Sequence, residues 1–254
     1  MKENNQTLVN ESDKLNRRKV FVRVIKLAFL FLILLLSIIY FILYVINAKD
    51  FFTINLDQNA SDRKVLYLSE DGSLEGLSIK LTADSPSHLD NITDKWYNFD
   101  EIEKEADGSH NFEERYIAYS FYVINYSIED TVNYYYEIDT LDAVKDADEA
   151  MRIRVYLNGE DKTYAKLNRS TGQPEKDTTP FYADKIPVLE KRERIGPQEK
   201  DRFTIIFWLE GEDPDGVNDI LGGKVKFEMN IREEHLTDNS QENVEPTPAE
   251  ESNN

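Results

Sequence analysis

Residues 224–232 read KVKFEMNIR, and this stretch decides the structural class of the chain. Apolar side chains at Val225, Phe227, Met229 and Ile231 alternate with polar ones. Because successive side chains of an extended strand point to opposite faces, a period of two predicts a strand with one buried face and one hydrated face. Strands of this kind are typical of antiparallel sheets.

The same alternation recurs upstream at residues 77–82, 151–157 and 203–209. Two other stretches are rich in aromatic and β-branched residues: residues 115–126 read RYIAYSFYVINY and residues 132–138 read VNYYYEI. We expect these two to be central strands that pair with each other. The dipeptide Asn158-Gly159 predicts a tight hairpin whose second strand runs along residues 162–167.

Within the β-rich part, the 3–4 spacing of a helix is found at residues 141–150, where a short helix is predicted. About nine strands joined by long polar connections predict a mainly β fold. We expect an antiparallel β-sandwich of the jelly-roll or Greek-key type.

An apolar segment precedes this part of the chain, and residues 27–46 read LAFLFLILLLSIIYFILYVI. At a rise of about 1.5 Å per residue, this helix would be roughly 30 Å long, which matches the hydrocarbon core of a bilayer. A single transmembrane helix is therefore predicted at residues 27–47. Residues 17–26 carry five basic side chains, which places the N-terminus in the cytoplasm by the positive-inside rule.

A cleaved signal peptide is the alternative interpretation, with the cut after Ala48. The apolar run is longer than an ordinary signal sequence, and bulky Ile46 stands where a small residue is preferred. A retained anchor is therefore the favoured interpretation.

The charge changes sign along the chain. Residues 1–26 hold seven basic and three acidic residues, a net charge of +4, and residues 27–48 hold no charged residue. Because the net charge of the whole chain is −19, residues 49–254 carry −23. We expect a basic cytoplasmic segment at 1–26, disordered over 1–16, and an extracellular domain at 49–235. A disordered acidic tail is expected at 236–254.

This composition excludes several classes of function. A strongly anionic domain repels phosphate backbones, so nucleic-acid binding is not expected, and the expected partners are the membrane and other surface or matrix proteins. The chain has no cysteine, which excludes disulfides and thiolate metal sites. His88, His110 and His235 are isolated in sequence and no catalytic motif occurs, so enzyme activity is not expected.

One loop offers a candidate metal site, a weak Ca²⁺ site formed by Glu210, Asp213, Asp215 and Asp219. Calcium takes six to eight oxygen ligands, and a tight turn rich in Gly and Pro can direct several carboxylates to one point. The alternative is that these residues are turn-formers on a solvated loop. No other cofactor is predicted.

The same region carries a resemblance to a known family, through five short stretches: Trp208-Leu209-Glu210-Gly211, Asp213-Pro214-Asp215, Asn218-Asp219, Gly222-Gly223 and the strand at 152–156. Over about residues 115–231 the chain resembles the C-terminal half of camelysin/TasA-type surface and biofilm-fibre proteins of Gram-positive bacteria. The resemblance implies an exported jelly-roll β-sandwich, and some members assemble into fibres by strand donation. Some are described as proteases, for which this chain has no recognisable metal triad.

The chain departs from that family at its N-terminus. The fibre proteins carry a cleavable signal, whereas Asn47-Ala48-Lys49 is a weak cleavage site. Our leading hypothesis is therefore a membrane-anchored, non-enzymatic structural or adhesive protein of the cell surface. The alternatives are a ligand-sensing or regulatory single-pass protein and a surface protease of the camelysin type.

Overall fold

The computed structural model describes residues 2–47, 50–57, 64–84, 89, 91–105, 107–110, 115–215 and 224–235. It divides the chain into two compact units, Met1–Lys49 and Asp50–Asn254. Ala48, the candidate cleavage site, and the acidic tail lie outside the described residues.

The first unit consists of the helix α1 (Lys2–Asn47). Its segment Phe21–Leu43 is long and apolar enough to cross a membrane, with a mean hydropathy of 2.8. The helix begins at Lys2, so the disorder expected for residues 1–16 is not found. A helix that an apolar segment has already nucleated can propagate into neighbouring residues, even where these include poor helix formers such as Asn4, Asn5 and Asn10.

The second unit is mainly β, as predicted. Its helical elements are a 3₁₀ turn (Asp94–Trp96) and the short helix α2 (Phe99–Glu103). Thirteen strands occur in the described part: β1 (Asp50–Asp57), β2 (Leu66–Ser69), β3 (Lys80–Asp84), β4 (Asn91–Ile92), β5 (Gly108–His110), β6 (Ile117–Asn125), β7 (Val132–Val144), β8 (Met151–Leu157), β9 (Glu160–Ala165), β10 (Thr179–Pro180), β11 (Val188–Ile195), β12 (Lys200–Glu210) and β13 (Lys224–His235).

The strands form two sheets. Sheet A has the order β11-β7-β13-β1-β3, and sheet B has the order β10-β9-β8-β12-β6-β2, with β4 beside β12 and β5 beside β6. Three pairs are parallel, namely β1 with β13, β9 with β10, and β4 with β12. Both sheets are therefore mixed, which corrects the expectation of a wholly antiparallel fold. Each parallel pair joins strands that no tight hairpin connects, so the alternation of side chains could not specify their direction.

The two sheets share one hydrophobic core. The Phe207 ring of β12 lies 4.9 Å from the ring of Phe52 on β1 and 4.9 Å from that of Phe227 on β13. The apolar positions of β13 are all buried, and its polar positions between residues 226 and 234 keep contact with water. This confirms the strand predicted from residues 224–232.

A second apolar cluster covers the other face of sheet B. Segment 91–105, which contains the 3₁₀ turn and α2, packs there against β6, β8 and β12, and the cluster comprises Ile92, Phe99, Ile102, Tyr116, Ala118, Tyr156, Ile206 and Trp208. We call this group the outer cluster. It corrects the expectation that β8 and β12 each have one hydrated face, because a segment distant in sequence covers that face.

Two local predictions met opposite outcomes. The hairpin at Asn158-Gly159 is confirmed: both residues have positive φ, 54° and 86°, and β8 pairs with β9. The helix predicted at residues 141–150 is wrong, because β7 continues to Val144 alongside β13 and a turn follows. Cross-strand pairing outweighs the weak helical spacing there.

The predicted pairing of residues 115–126 with residues 132–138 is also wrong. The first stretch forms β6 in sheet B and the second forms part of β7 in sheet A. The strand predicted at 77–82 begins only at Lys80, and Ile79 is exposed. Aromatic content identified central strands correctly, but it carries no information about which sheet each strand joins.

Candidate functional site

The loop after β12 contains the predicted metal ligands. Glu210 ends the strand, where its Oε2 accepts a hydrogen bond from the Trp208 indole at 3.0 Å and its Oε1 accepts one from the Glu212 backbone N–H at 3.2 Å. Both oxygens are therefore engaged locally, and Asp219 lies outside the described residues. Asp213 and Asp215 are the predicted ligands that the structure brings together.

Asp213 is buried and forms an ion pair with Arg152 of β8. The distance from Arg152 Nη2 to Asp213 Oδ2 is 2.6 Å, and both side chains are at least 95% buried, with 5% and 1% exposed. The second oxygen, Oδ1, accepts a hydrogen bond from the backbone N–H of Asp215 at 2.7 Å. Because a buried charge needs a close partner, this pair fixes the loop against the outer face of sheet B.

A third carboxylate joins them from a different loop. Glu175 lies in the polar connection between β9 and β10. One carboxylate oxygen from each of Glu175, Asp213 and Asp215 lies within 4.8 Å of the other two. Glu175 Oε2 is 4.0 Å from Arg152 Nη2, and Asp215 Oδ2 accepts the backbone N–H of Arg169 at 2.7 Å. We call Glu175, Asp213 and Asp215 the carboxylate triad.

The triad is electrostatically unbalanced. One guanidinium faces three carboxylates, which leaves an excess of negative charge that a hard cation could neutralise. Arg152 already occupies Asp213 Oδ2, Asn168 Nδ2 donates to Glu175 Oε1 at 3.1 Å, and Asp215 Oδ2 accepts the Arg169 N–H. A cation would therefore share these oxygens with existing donors and complete its shell with water. The arrangement suits a weak hydrated site better than a dehydrated one.

A group of ion pairs centred on Lys166, which we call the lysine hub, lies close in sequence to Arg169 and Glu175. Lys166 Nζ lies 2.7 Å from Asp148, 2.9 Å from Glu149 and 2.9 Å from Asp184. Burial works against the charged amine, yet the hydrogen bonds that it donates to these carboxylates outweigh burial and hold the pKa of Lys166 above its ordinary value. Arg169 Nε bonds Glu149 at 3.0 Å, which links this hub to the triad.

The histidines do not build a catalytic group among the residues that the structure describes. His110 Nε2 is 3.3 Å from Ser120 Oγ, but Ser120 is fully buried and cannot meet a substrate. Burial lowers the pKa of His110, which favours the neutral ring. His235 ends β13, and His88 lies outside the described residues.

Sequence reasoning identified Asp213 and Asp215 but missed Glu175 and Arg152. Glu175 stands in a long polar connection with no pattern of its own, and nothing local indicates that this connection returns to the end of β12. Arg152 was assigned to a hydrated strand face because its neighbours alternate. An arginine on a regular strand gives no sign of burial until its acidic partner is known.

Comparisons with known proteins do not identify the chain. No protein-family model, no curated protein and no solved structure matches it. The resemblance to camelysin/TasA-type proteins therefore stays a prediction.

Proposed function

We propose that the chain is a membrane-anchored, non-enzymatic protein of the cell surface with a structural or adhesive role. The observation that carries this proposal is the segment Phe21–Leu43, which has no charged residue after Lys26 and is exposed along its whole length. Each apolar side chain left in water costs about 1.5–3 kcal/mol, which supports the proposal that this helix lies in lipid. Only residues 48–49 separate the end of α1 from β1.

The proposed topology has the N-terminus in the cytoplasm and the β unit outside. Arg17, Arg18 and Lys19 precede the segment Phe21–Leu43, Arg23 and Lys26 lie near its start, and the chain after it is strongly acidic. Cytoplasmic flanks of spanning helices carry an excess of Lys and Arg. The partners proposed are the membrane and other surface or matrix proteins, and the acidic β unit makes nucleic acid an unsuitable one.

For the β unit we propose a sandwich of the jelly-roll or Greek-key type. Two mixed sheets with a shared core support it, as does the resemblance of residues 115–231 to camelysin/TasA-type proteins. Weak Ca²⁺ binding at the carboxylate triad is part of the same proposal. A melting temperature that rises with Ca²⁺ in the wild type, and much less in a Glu175→Gln, Asp215→Asn variant, would support it, since a ligand that binds only the folded state stabilises it.

The localisation is tested by adding protease to intact protoplasts that carry the protein with a tag at each end. We expect digestion of the C-terminal tag and of the β unit, and protection of the N-terminal tag. Protection of the β unit would contradict the surface assignment. N-terminal sequencing of the same material tests the anchor, because a chain that starts near Lys49 has lost it.

The structural role is tested in cells that lack the protein. Re-expression of the wild type is expected to restore surface adhesion or matrix cohesion. The matched control carries Ile33→Lys, Leu34→Lys and Leu35→Lys, since each charge at the centre of a spanning helix opposes insertion by about 2.5–3.5 kcal/mol. Equal rescue by this control would contradict a role that depends on anchoring.

A ligand sensor is the second candidate, and one surface groove favours it. The groove has a volume of about 400 Å³ and is lined partly by Tyr67, Tyr126 and Ile128. The Tyr67 and Tyr126 rings meet edge to face at 5.8 Å, and Ile128 is 81% exposed. Exposed aromatic rings beside polar groups suit a small ligand. Normal adhesion in cells that lack the protein, together with an altered response to an external solute, would favour this candidate.

A further inference from the structure

The first and last described strands of the β unit are neighbours. β1 follows the membrane helix, β13 is the last strand that the structure describes, and the two pair in parallel from Phe52↔Phe227 to Asp57↔Arg232. The order β7-β13-β1 makes both of them interior strands of sheet A. Any tension between the anchor and the chain beyond His235 therefore acts directly on this pair.

The parallel direction determines how that tension acts. A pull on the N-terminal end of β1 and an opposite pull on the C-terminal end of β13 make the two strands slide along each other. All six paired positions then resist together. In an antiparallel pair of terminal strands, the same two ends lie at one end of the ladder, and the rungs would open one after another.

Side chains on the inner face oppose sliding. Phe52, Ile54 and Leu56 of β1 are buried in the shared core, beside Phe227 and the other apolar positions of β13. A displacement of β1 along β13 by one residue would turn this apolar row toward the hydrated face, because side chains alternate. The register is therefore fixed by burial as well as by backbone hydrogen bonds.

The C-terminal end of β13 is also fastened to three other strands. Glu233 Oε1 accepts hydrogen bonds from the backbone N–H groups of Val65 at 3.0 Å and Leu66 at 2.6 Å, which ties β13 to β2 and the residue before it. Glu234 Oε2 pairs with Lys191 of β11 at 2.5 Å and accepts a hydrogen bond from Asn133 of β7 at 3.0 Å. β7 accompanies β13 along its full length, from Lys224↔Val144 to His235↔Val132.

We propose that the β1–β13 pair is a mechanical clamp that keeps the β unit folded when the chain is pulled between the membrane and its C-terminal end. The clamp would serve a protein that connects a cell to other cells or to a matrix, so its use rests on the proposed function. Its mechanics do not, because the strand geometry is a property of the isolated molecule.

The test is force spectroscopy on the full chain in detergent micelles. The chain has no cysteine, so two introduced cysteines define where DNA handles attach. One variant, Lys49→Cys with Thr237→Cys, pulls the pair in shear. The matched variant, Gln58→Cys with Thr237→Cys, pulls from the same end of both strands and opens the ladder rung by rung.

We expect a several-fold higher rupture force in the shear variant at the same loading rate, because forced unfolding follows the height of the unfolding barrier. Equal forces, or a lower force in shear, would overturn the clamp. If circular dichroism shows that either variant fails to fold, a second pair of variants repeats the comparison. Ala48→Cys with Asp238→Cys then pulls in shear, and Asn59→Cys with Asp238→Cys opens the ladder. A failed clamp leaves the protoplast result unchanged, so the two proposals fail separately.

Discussion

β13 of sheet A and β12 of sheet B show the same alternating pattern in the sequence, but their outer faces have different surroundings. On sheet A, β13 directs Glu228 and Arg232 outward, and both keep contact with water. On sheet B, β12 directs Ile206 and Trp208 outward, and both are buried beneath segment 91–105. Alternation therefore predicts that a strand forms, whereas a segment distant in sequence determines whether its outer face contacts water.

The two faces are also stabilised by different interactions. Polar pairs cross sheet A, including Asn230 Nδ2 to Asp139 Oδ2 at 3.1 Å and Arg232 Nη2 to Glu137 Oε2 at 3.1 Å. Solvated pairs of this kind contribute little to stability. Sheet B excludes water instead, so its outer face can contribute several times more. Substitutions on the two faces should therefore differ in cost, with the shared core as the upper reference.

The largest effect is expected in the core between the sheets. Phe227→Ala removes a fully buried ring that stacks on Phe207, and we expect it to lower the free energy of unfolding by about 3–5 kcal/mol. Urea denaturation of the full chain in detergent, followed by tryptophan fluorescence, measures it. A loss below about 1 kcal/mol would show that the sheets do not share this core.

Removal of the buried arginine on sheet B should cost nearly as much. Arg152→Met leaves the Asp213 carboxylate buried without its partner, for which a loss of about 3 kcal/mol is expected. The double variant Arg152→Met, Asp213→Leu should recover most of that loss, because no charge then stays buried. A double variant as unstable as the single one would contradict the ion pair as the cause.

The covering segment itself should contribute less. Ile102→Ala on α2 truncates a buried side chain of the outer cluster, and we expect a loss of about 2 kcal/mol, since a short surface helix can settle into the space. Hydrogen exchange should show faster exchange of the backbone amides of β12 before any change in those of β13. Equal acceleration in both strands would indicate a single cooperative unit.

Alkaline pH should loosen the same cluster. Burial raises the pKa of Tyr116 to about 12, whereas an unfolded tyrosine ionises near pH 10. Its contribution is complete below pH 10 and is lost as the pH rises towards about 12, because the unfolded state releases its proton first. Tyr116→Phe should reduce the decline in the free energy of unfolding between pH 9 and pH 11, measured by urea denaturation, by about 1 kcal/mol. The exposed Tyr182→Phe variant is the control and should keep the wild-type slope.

The smallest effect is expected on the hydrated face. Glu228→Ala on β13 removes a partly exposed carboxylate that bonds Asn55, and the expected change in unfolding free energy is within about 0.5 kcal/mol. Thermal denaturation beside the Phe227→Ala variant measures the contrast on one strand. A loss comparable with that of Ile102→Ala would remove the distinction between the two faces.

Local sequence signals predicted the elements well where a single strand or turn decided the outcome. The alternation at residues 224–232 predicted β13, and the two positive φ values at Asn158-Gly159 follow from the turn chemistry of those residues. The apolar run predicted a helix able to span a membrane. In each case the physical cause lies within a few neighbouring residues.

The remainder depended on contacts between distant parts of the chain. The parallel direction of β1 and β13, the cover over Trp208 and the approach of Glu175 to Asp213 all join residues far apart in sequence. The pattern of a single sequence shows which faces of a strand are apolar, but it does not show which other segment covers them. For this reason the candidate site was predicted only in part. The loop with Asp213 and Asp215 was identified from the sequence, whereas Glu175 and Arg152 were not.

The position of β13 between β7 and β1 also limits when the molecule can be completed during synthesis. Asn55 and Glu228 are 173 residues apart, and a ribosome adds about 5–20 residues per second, so β1 waits roughly 10–35 s for its partner. During that interval β1 and β7 have no strand between them, and the unpaired edges are open to the wrong neighbours. Almost the whole of the β unit must therefore be available before sheet A can close, and factors that keep the unfinished chain from pairing with other chains in the meantime would set the yield.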